Sequence, residues 1–504
     1  MRKKELNCDN SQTNQPGGER LESKDMSRRN FIRSTTRGAM VGTIAGASLS
    51  GAAVGSSTNT SATASHFPQG RHILLKDGVV LTMDSKLGDF DKADVLIRGS
   101  KIAAVGKNLP ASDGVEMIDA SNHIIMPGFI DTHHHNYQRV LINQMSNALL
   151  SDYVRDIYTD IGVNQFFRAE DAYIGQLLSG LSALNHGITT VVDLSSVEPT
   201  IENNDASIKG LHESGVRAVF CHGRQDFERL NKTHFSNNDG LLSLGFNTYL
   251  TESDIHFARE AGVPIVSHVV PWFNPEFSNI VVSLGKKGLL GPDITFIHCT
   301  ELTDAAWKTI ADHGVHVSIA SPIEMVMRHG MPPIQKALDL GIRPSLSSDV
   351  DGTMTQSPFA MMRSIFTLQR MLINQRSLQG EEKLPELLTT RETIELATVN
   401  GSKANGLENK IGTLTPGKEA DIIMLTTDAL NVMPMNNAYG SIVSTMDSSN
   451  VDAVFVAGKA RKWDGKMLDI DIERVTDLAR NSRDYLFSKT RWQRSVLDTS
   501  LSGT

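Results

Sequence analysis

The sequence predicts an α/β protein: a (β/α)8, or TIM, barrel carrying a small composite β-sandwich domain made from the two flanks of the barrel. Three observations predict it. Eight apolar runs of strand length alternate with stretches of helical length, the segments before and after them are Val/Ile-rich runs cut by Gly turns, and several of the eight runs end in His or Asp. Strands of a parallel barrel are buried on both faces, so they should read as continuous apolar runs, as these do.

In chain order, residues 1–64 read as an address and linker. "SRRNFIR" (27–33) sets paired arginines before a Gly/Ala/Ser-rich stretch, "GAMVGTIAGASLSGAAVG", too weakly apolar for stable membrane insertion. It is similar to a twin-arginine type export signal, which implies the twin-arginine machinery as a partner and a periplasmic or secreted protein. An unrelated basic tail would leave the protein cytoplasmic. Residues 71–126, with "HILLKDGVVLTMD" and "ADVLIRGSKIAAVG", and residues 411–468, with "ADIIML" and "VDAVFVAGKARKWDG", supply the composite β domain. Residues 127–410 supply the barrel. Its runs are "IIMPGFIDTHHH" (124), "GITTVVDLS" (187), "VRAVFCHG" (216), "GLLSLGF" (240), "VPIVSHVV" (263), "ITFIHCTE" (294), "VHVSIAS" (315) and "RPSLSSD" (343). Residues 469–504 read as a C-terminal helical extension.

Bulk composition excludes some partners. Of 504 residues, 40% are hydrophobic and 21% charged, enough for a large core. Beyond residue 64 the chain carries 40 basic against 52 acidic residues, which argues against nucleic acid or an anionic membrane and leaves a small-molecule substrate. The cysteines, Cys8, Cys221 and Cys299, form no CxxC pair, so neither a disulfide framework nor a thiolate zinc site is indicated. A homodimer is the default oligomer at this size.

Side chains at the C-terminal ends of barrel strands point into the site. The first run ends in His133 and His135, the fifth in His268, the sixth in His298 and the eighth in Asp349. Residues two apart on a strand share a face, so His133 and His135 can converge on one ion while His134 points elsewhere. Each taken singly has a plainer reading, as a core histidine or a helix-capping aspartate. Their coincidence on four strands points to a site. Imidazole and carboxylate donors without thiolate suit one divalent ion, zinc or else iron, whose use with an open position is to turn bound water into hydroxide. A closed shell would make the ion structural.

Together "PGFIDTHHHNYQ", "HGITTVVDLS", "VSHVV", "IHCTELTD", "SSDVDG" and "GTLTPGKEADIIML" resemble the metal-dependent amidohydrolase superfamily, in its cytosine deaminase-like and triazine hydrolase-like branch. The resemblance implies His133, His135, His268 and Asp349 as metal ligands, and His298 as the group that holds water or polarises substrate. The fourth run lacks the lysine that binuclear relatives carry, which implies a single ion; Asp351 is the runner-up ligand. Where deaminases of the branch usually carry a proton-shuttling glutamate, three residues after His268, stands Pro271. Glu301 and Glu324 are the substitutes at hand, and the expected catalytic set is Asp349, His298 and Glu324. Gln138, Trp272 and His329 are the expected substrate contacts. The implied activity is hydrolysis of a non-peptide C–N bond in a cyclic amide, an amidine or an amino-substituted N-heterocycle. The rival is a non-catalytic, metal-containing small-molecule binding protein that lost its shuttle at Pro271.

Overall fold

The computed structural model describes residues 72–111, 113–236, 240–490, 492 and 496–497. The export-signal segment, 1–64, lies outside them. Among the described residues, seventeen strands form two sheets. In chain order they are β1 (His72–Val80), β2 (Phe90–Arg98), β3 (Lys101–Gly106), β4 (Glu116–Asp119), β5 (His123–Pro127), β6 (Phe129–His134), β7 (Ile188–Leu194), β8 (Arg217–His222), β9 (Leu242–Asn247), β10 (Ile265–Val269), β11 (Ile294–His298), β12 (His316–Ile319), β13 (Ser345–Leu346), β14 (Ile422–Thr426), β15 (Val451–Val456), β16 (Lys459–Trp463) and β17 (Lys466–Met467).

Strands β6 to β13 form the barrel, each pairing in parallel with the next, and each of the eight predicted runs holds one of them. β6, β7, β8 and β11 are buried along their whole length, as a sheet covered on both faces requires. The barrel closes at the site itself. Asp349 N–H donates to His133 O at 3.0 Å and His135 N–H donates to Asp349 O at 2.8 Å, a parallel bridge between the end of the eighth run and the first strand.

Local chemistry sets the barrel's helices. Those at Ile201–Ser214, Glu252–Ala261 and Asp304–Asp312 begin on Thr200, Thr251 and Thr303, whose hydroxyls accept the N–H three residues on, a cap worth about 1 kcal/mol. The first two end on Gly215 and Gly262 in the left-handed region. Gly128 admits the closest approach between the first two barrel strands, since a Cβ there would lie 2.2 Å from the Thr189 side chain.

The flanks depart from the expected sandwich in one respect. All nine of their strands belong to one hydrogen-bonded sheet, because β14 pairs with β5 and stitches the C-terminal flank onto the N-terminal one. The sheet folds over so that Val95 and Ile97 near one end share a core with Ala453 and Phe455 near the other. The helix Ile472–Lys489 packs through Val475 and Leu486 into the cluster that contains Tyr137, Leu150 and Tyr153, bracing the segment after β6 that covers the barrel mouth. Among the described residues no helix is long and apolar enough to cross a membrane.

Candidate metal centre and its cavity

β6 carries three consecutive histidines, and its two-residue period separates them. His133 and His135 face the barrel mouth, with ring centroids 4.9 Å apart, and His268 from β10 lies 4.7 Å from His133 and 5.5 Å from His135. Asp349 enters from the other side: its Oδ1 lies 2.9 Å from His133 Nε2 and 3.8 Å from His135 Nε2, and its Oδ2 lies 3.8 Å from His298 Nε2. Asp349 and His298 both sit in left-handed backbone, φ +64° and +69°. That conformation is uncommon for residues other than glycine.

Protonation states decide whether these donors suit a cation. Burial pushes His133 and His268 down from the ordinary histidine value and His135 to about 3, so all three are neutral imidazoles at pH 7. Burial alone would raise the Asp349 carboxyl, but its hydrogen bond to His133 and the surrounding histidines hold it well below the usual range, and it is ionised. Ligand atoms of His133, His135 and Asp349 lie within 4.8 Å of one another, and so do those of His133, His268 and His298; neutral nitrogens beside an ionised oxygen suit a divalent ion, so the donor set fits the metal. His135 Nδ1 faces Leu194 O at 2.9 Å, which turns Nε2 toward Asp349.

His134 points the other way. Its Nδ1 pairs with Ser348 Oγ at 2.9 Å and its Nε2 with Asp351 Oδ2 at 3.1 Å, while Arg139 Nη1 donates to Asp351 Oδ1 at 2.5 Å. Asp351, the runner-up ligand, is therefore consumed in a buried ion cluster with His134 and Arg139.

Above the centre opens a cavity of about 620 Å³, lined by His135, His268, His298, His329 and Asp349 together with the neutral side chains described below. Several expected residues sit elsewhere. Glu324 is fully buried and outside the lining; its Oε1 accepts from His298 Nδ1 and from Ala320 N–H, both at 2.9 Å. It meets the cavity only through His298, whose Nε2 it turns toward Asp349. Burial opposes a proton on His298, but the Glu324 bond and the Asp349 charge outweigh it and raise its pKa. Glu301 is exposed and accepts from Met331 N–H at the rim.

Gln138, an expected substrate contact, is fully buried, its amide donating to the Tyr137 and Tyr153 hydroxyls at 2.9 and 2.8 Å. The backbone turns into a 3-10 helix at Asn136, so strand geometry does not set the direction of residue 138. Trp272 is half exposed outside the lining, packed edge-on against Phe273, which does line the cavity. His329 lies on the lining with its ring 4.9 Å from His298, and neither ring nitrogen has a protein partner. Sequence reasoning missed Asn247, Thr248 and Tyr249 at the end of β9, and Tyr153 and Tyr158 on the covering segment. The rule that strand ends build the site would have found the first three; the tyrosines come from a loop that carries no periodic signal.

Residues 124–259 and 254–461 match the amidohydrolase family model. The chain is 26% identical over 446 residues to a 5'-deoxyadenosine deaminase of Methanosarcina barkeri, covering 83% of this chain and 99% of that protein. It is 25% identical over 435 residues to a 5-methylthioadenosine/S-adenosylhomocysteine deaminase of Caldicellulosiruptor saccharolyticus, covering 80% and 96%. Among solved structures, an adenosine deaminase of Xanthomonas campestris with bound zinc superposes with TM-score 0.72 at 19% identity, over 84% of this chain and 100% of that one. An atrazine chlorohydrolase of Arthrobacter aurescens superposes with TM-score 0.71 at 19% identity, over 82% and 100%. At these identities the two structures speak for the fold alone.

Proposed function

The chain belongs to the amidohydrolase family and is a metal-dependent hydrolase of carbon–nitrogen bonds, and from that premise we propose that His133, His135, His268 and Asp349 hold one divalent ion for the attack of water on a small substrate. The single observation that supports this most is that His133, His135 and an ionised Asp349 bring ligand atoms within 4.8 Å of one another, with the His268 ring 4.7 Å from His133 and 5.5 Å from His135. Zinc suits four nitrogen and oxygen donors, with iron second. When bound, the ion supplies Lewis acidity and makes water a nucleophile near neutral pH.

Asp349 Oδ2, on the side facing His298, takes a proton from the attacking water. His298 Nε2, aimed at the same point because Glu324 holds its other nitrogen, donates a hydrogen bond to the substrate group on which negative charge develops. Glu324 is thus a positioning residue. Its exclusion from the cavity argues against the direct proton shuttle that Pro271 leaves vacant. His329 presents two ring nitrogens to the substrate, and Phe273 offers an aromatic face on the cavity wall.

We further infer export through the twin-arginine type signal of residues 1–64 to the periplasm or beyond, and a homodimer as the working oligomer. Loading the purified chain with zinc and assaying release of amine or ammonia from cyclic amides, ureas and aminated heterocycles tests the activity. Turnover that a chelator removes and zinc restores supports it; saturable binding of the same compounds without turnover favours the binding-protein reading instead.

A further inference from the structure

The cavity walls narrow the substrate class, on the hydrolase reading above. Apart from the histidines of the centre and Asp349, none of the described residues that line the cavity carries a formal charge at neutral pH. Leu150, Val154, Tyr153, Tyr249, Phe273 and Phe277 supply apolar and aromatic surface, and the remaining polarity comes from neutral groups such as Asn247 and Thr248. The two glutamates that could reach inward are committed, Glu324 to His298 and Ala320, Glu301 to the Met331 N–H. An ionised group brought against these walls would lose its hydration with no counter-charge in return.

Proton accounting adds a second constraint. Water brings two protons. Deamination of an aminated ring needs one of them on the ring nitrogen and the other on the departing amine, at two positions, whereas cleavage of an acyl C–N bond needs a proton on the leaving nitrogen alone. Asp349 is the one carboxylate among the described residues that line the cavity, and Pro271, past the end of β10, has no group that carries a proton. One carboxylate suffices for the acyl case, whereas the ring case would also need His298, held by Glu324, to carry the second proton.

We propose that the substrate is a neutral, largely apolar acyl–nitrogen compound, an N-aryl or N-alkyl amide, carbamate or urea, and not an aminated nucleoside. The water oxygen bonds to the acyl carbon while one water proton passes to Asp349. The C–N bond then breaks with its electron pair on nitrogen, which takes that proton from Asp349. The products are a neutral amine and the carboxylic acid from an amide, the carbamic acid from a urea or the carbonic acid half-ester from a carbamate, with no change of oxidation state. Tyr249 and Phe273, on the cavity wall and largely solvent-facing at the rim, receive the apolar end of such a molecule.

The test uses the zinc-loaded full chain and a matched panel: neutral N-aryl amides, carbamates and ureas, the same compounds bearing a distal carboxylate or ammonium, and 5'-deoxyadenosine and S-adenosylhomocysteine. Amine and ammonia are measured by mass spectrometry. The expected kcat/KM for neutral members exceeds that of their charged counterparts by at least about 100-fold, with no ammonia from the nucleosides. Phe273→Lys, at a partly exposed rim position that tolerates a charge, is expected to shift preference toward the carboxylated members by about tenfold. Nucleoside deamination at the higher kcat/KM, or equal rates for neutral and charged members, overturns the inference while leaving the hydrolase reading intact. A zinc-retaining chain that releases neither amine nor ammonia from any member overturns that reading, and the inference with it.

Discussion

His133 and His134 are neighbours on one buried strand, yet they face two differently built environments. On the His134 side the charges are paired: the ring is bonded at both nitrogens, and Asp351 also receives Arg139 Nη1. On the His133 side, Nδ1 is buried without a partner, His329 has two open nitrogens, and one carboxylate is shared among three imidazoles. An unanswered buried donor costs roughly 1–3 kcal/mol, so a fold keeps such groups together only where something else completes them. The first cluster is the barrel's internal fastening, and the second gathers donors of the kind that suit a divalent ion.

The comparison breaks most visibly at Asp349. Asp349→Ala is expected to lower turnover at least about 10³-fold, measured as kcat on any accepted substrate, because it removes both a metal donor and the base. The corresponding change on the fastening side acts on stability instead. Asp351→Ala leaves Arg139 and His134 without their buried counter-charge and is expected to cost about 3–5 kcal/mol in urea unfolding, with bound metal per folded chain unchanged. Loss of the ion from the folded Asp351 variant would erase the distinction between the two clusters.

Lys462 sharpens the same contrast in the composite sheet. Its ammonium is buried with one carbonyl partner, Asn185 O at 2.9 Å, and burial lowers its pKa from 10.5 to about 8. The folded state therefore binds this proton less readily than the unfolded chain, and stability rises with pH between about 8 and 10.5, by up to about 3 kcal/mol. Lys462→Met is expected to flatten that rise in denaturant titrations; a slope equal to the wild type would mean the ammonium is solvated.

Glu324→Gln has the smallest expected effect, a 10- to 100-fold fall in kcat, on the order of 1.4–2.7 kcal/mol, with KM little changed. Glu324 helps to raise the pKa of His298, so activity that needs a proton on His298 should fail at lower pH in the variant than in the wild type. A pH profile identical to the wild type would remove Glu324 from the mechanism.

The sequence was most legible where geometry repeats. Apolar runs mark all eight barrel strands, and the two-residue period separates His133 and His135 from His134. Past the strand ends the period stops. Gln138 lies three residues past the ligand pair, within a 3-10 turn that carries its amide to two tyrosines. Glu324 lies 26 residues from His298, and only the short helix Ser321–Val326 after β12 brings its carboxylate to the imidazole. Cavity walls contributed by Tyr153, Tyr158 and Phe277 belong to segments whose paths are set by tertiary packing, so nothing local announces them.

The measurement closest to the central claim is the zinc content of the folded full chain, by elemental analysis after dialysis, for the wild type, His133→Ala and His134→Asn. About one equivalent is predicted for the wild type and for His134→Asn, and less than about a tenth for His133→Ala. Equal zinc in the two variants, or none in the wild type, would contradict a metal centre built on His133, His135, His268 and Asp349.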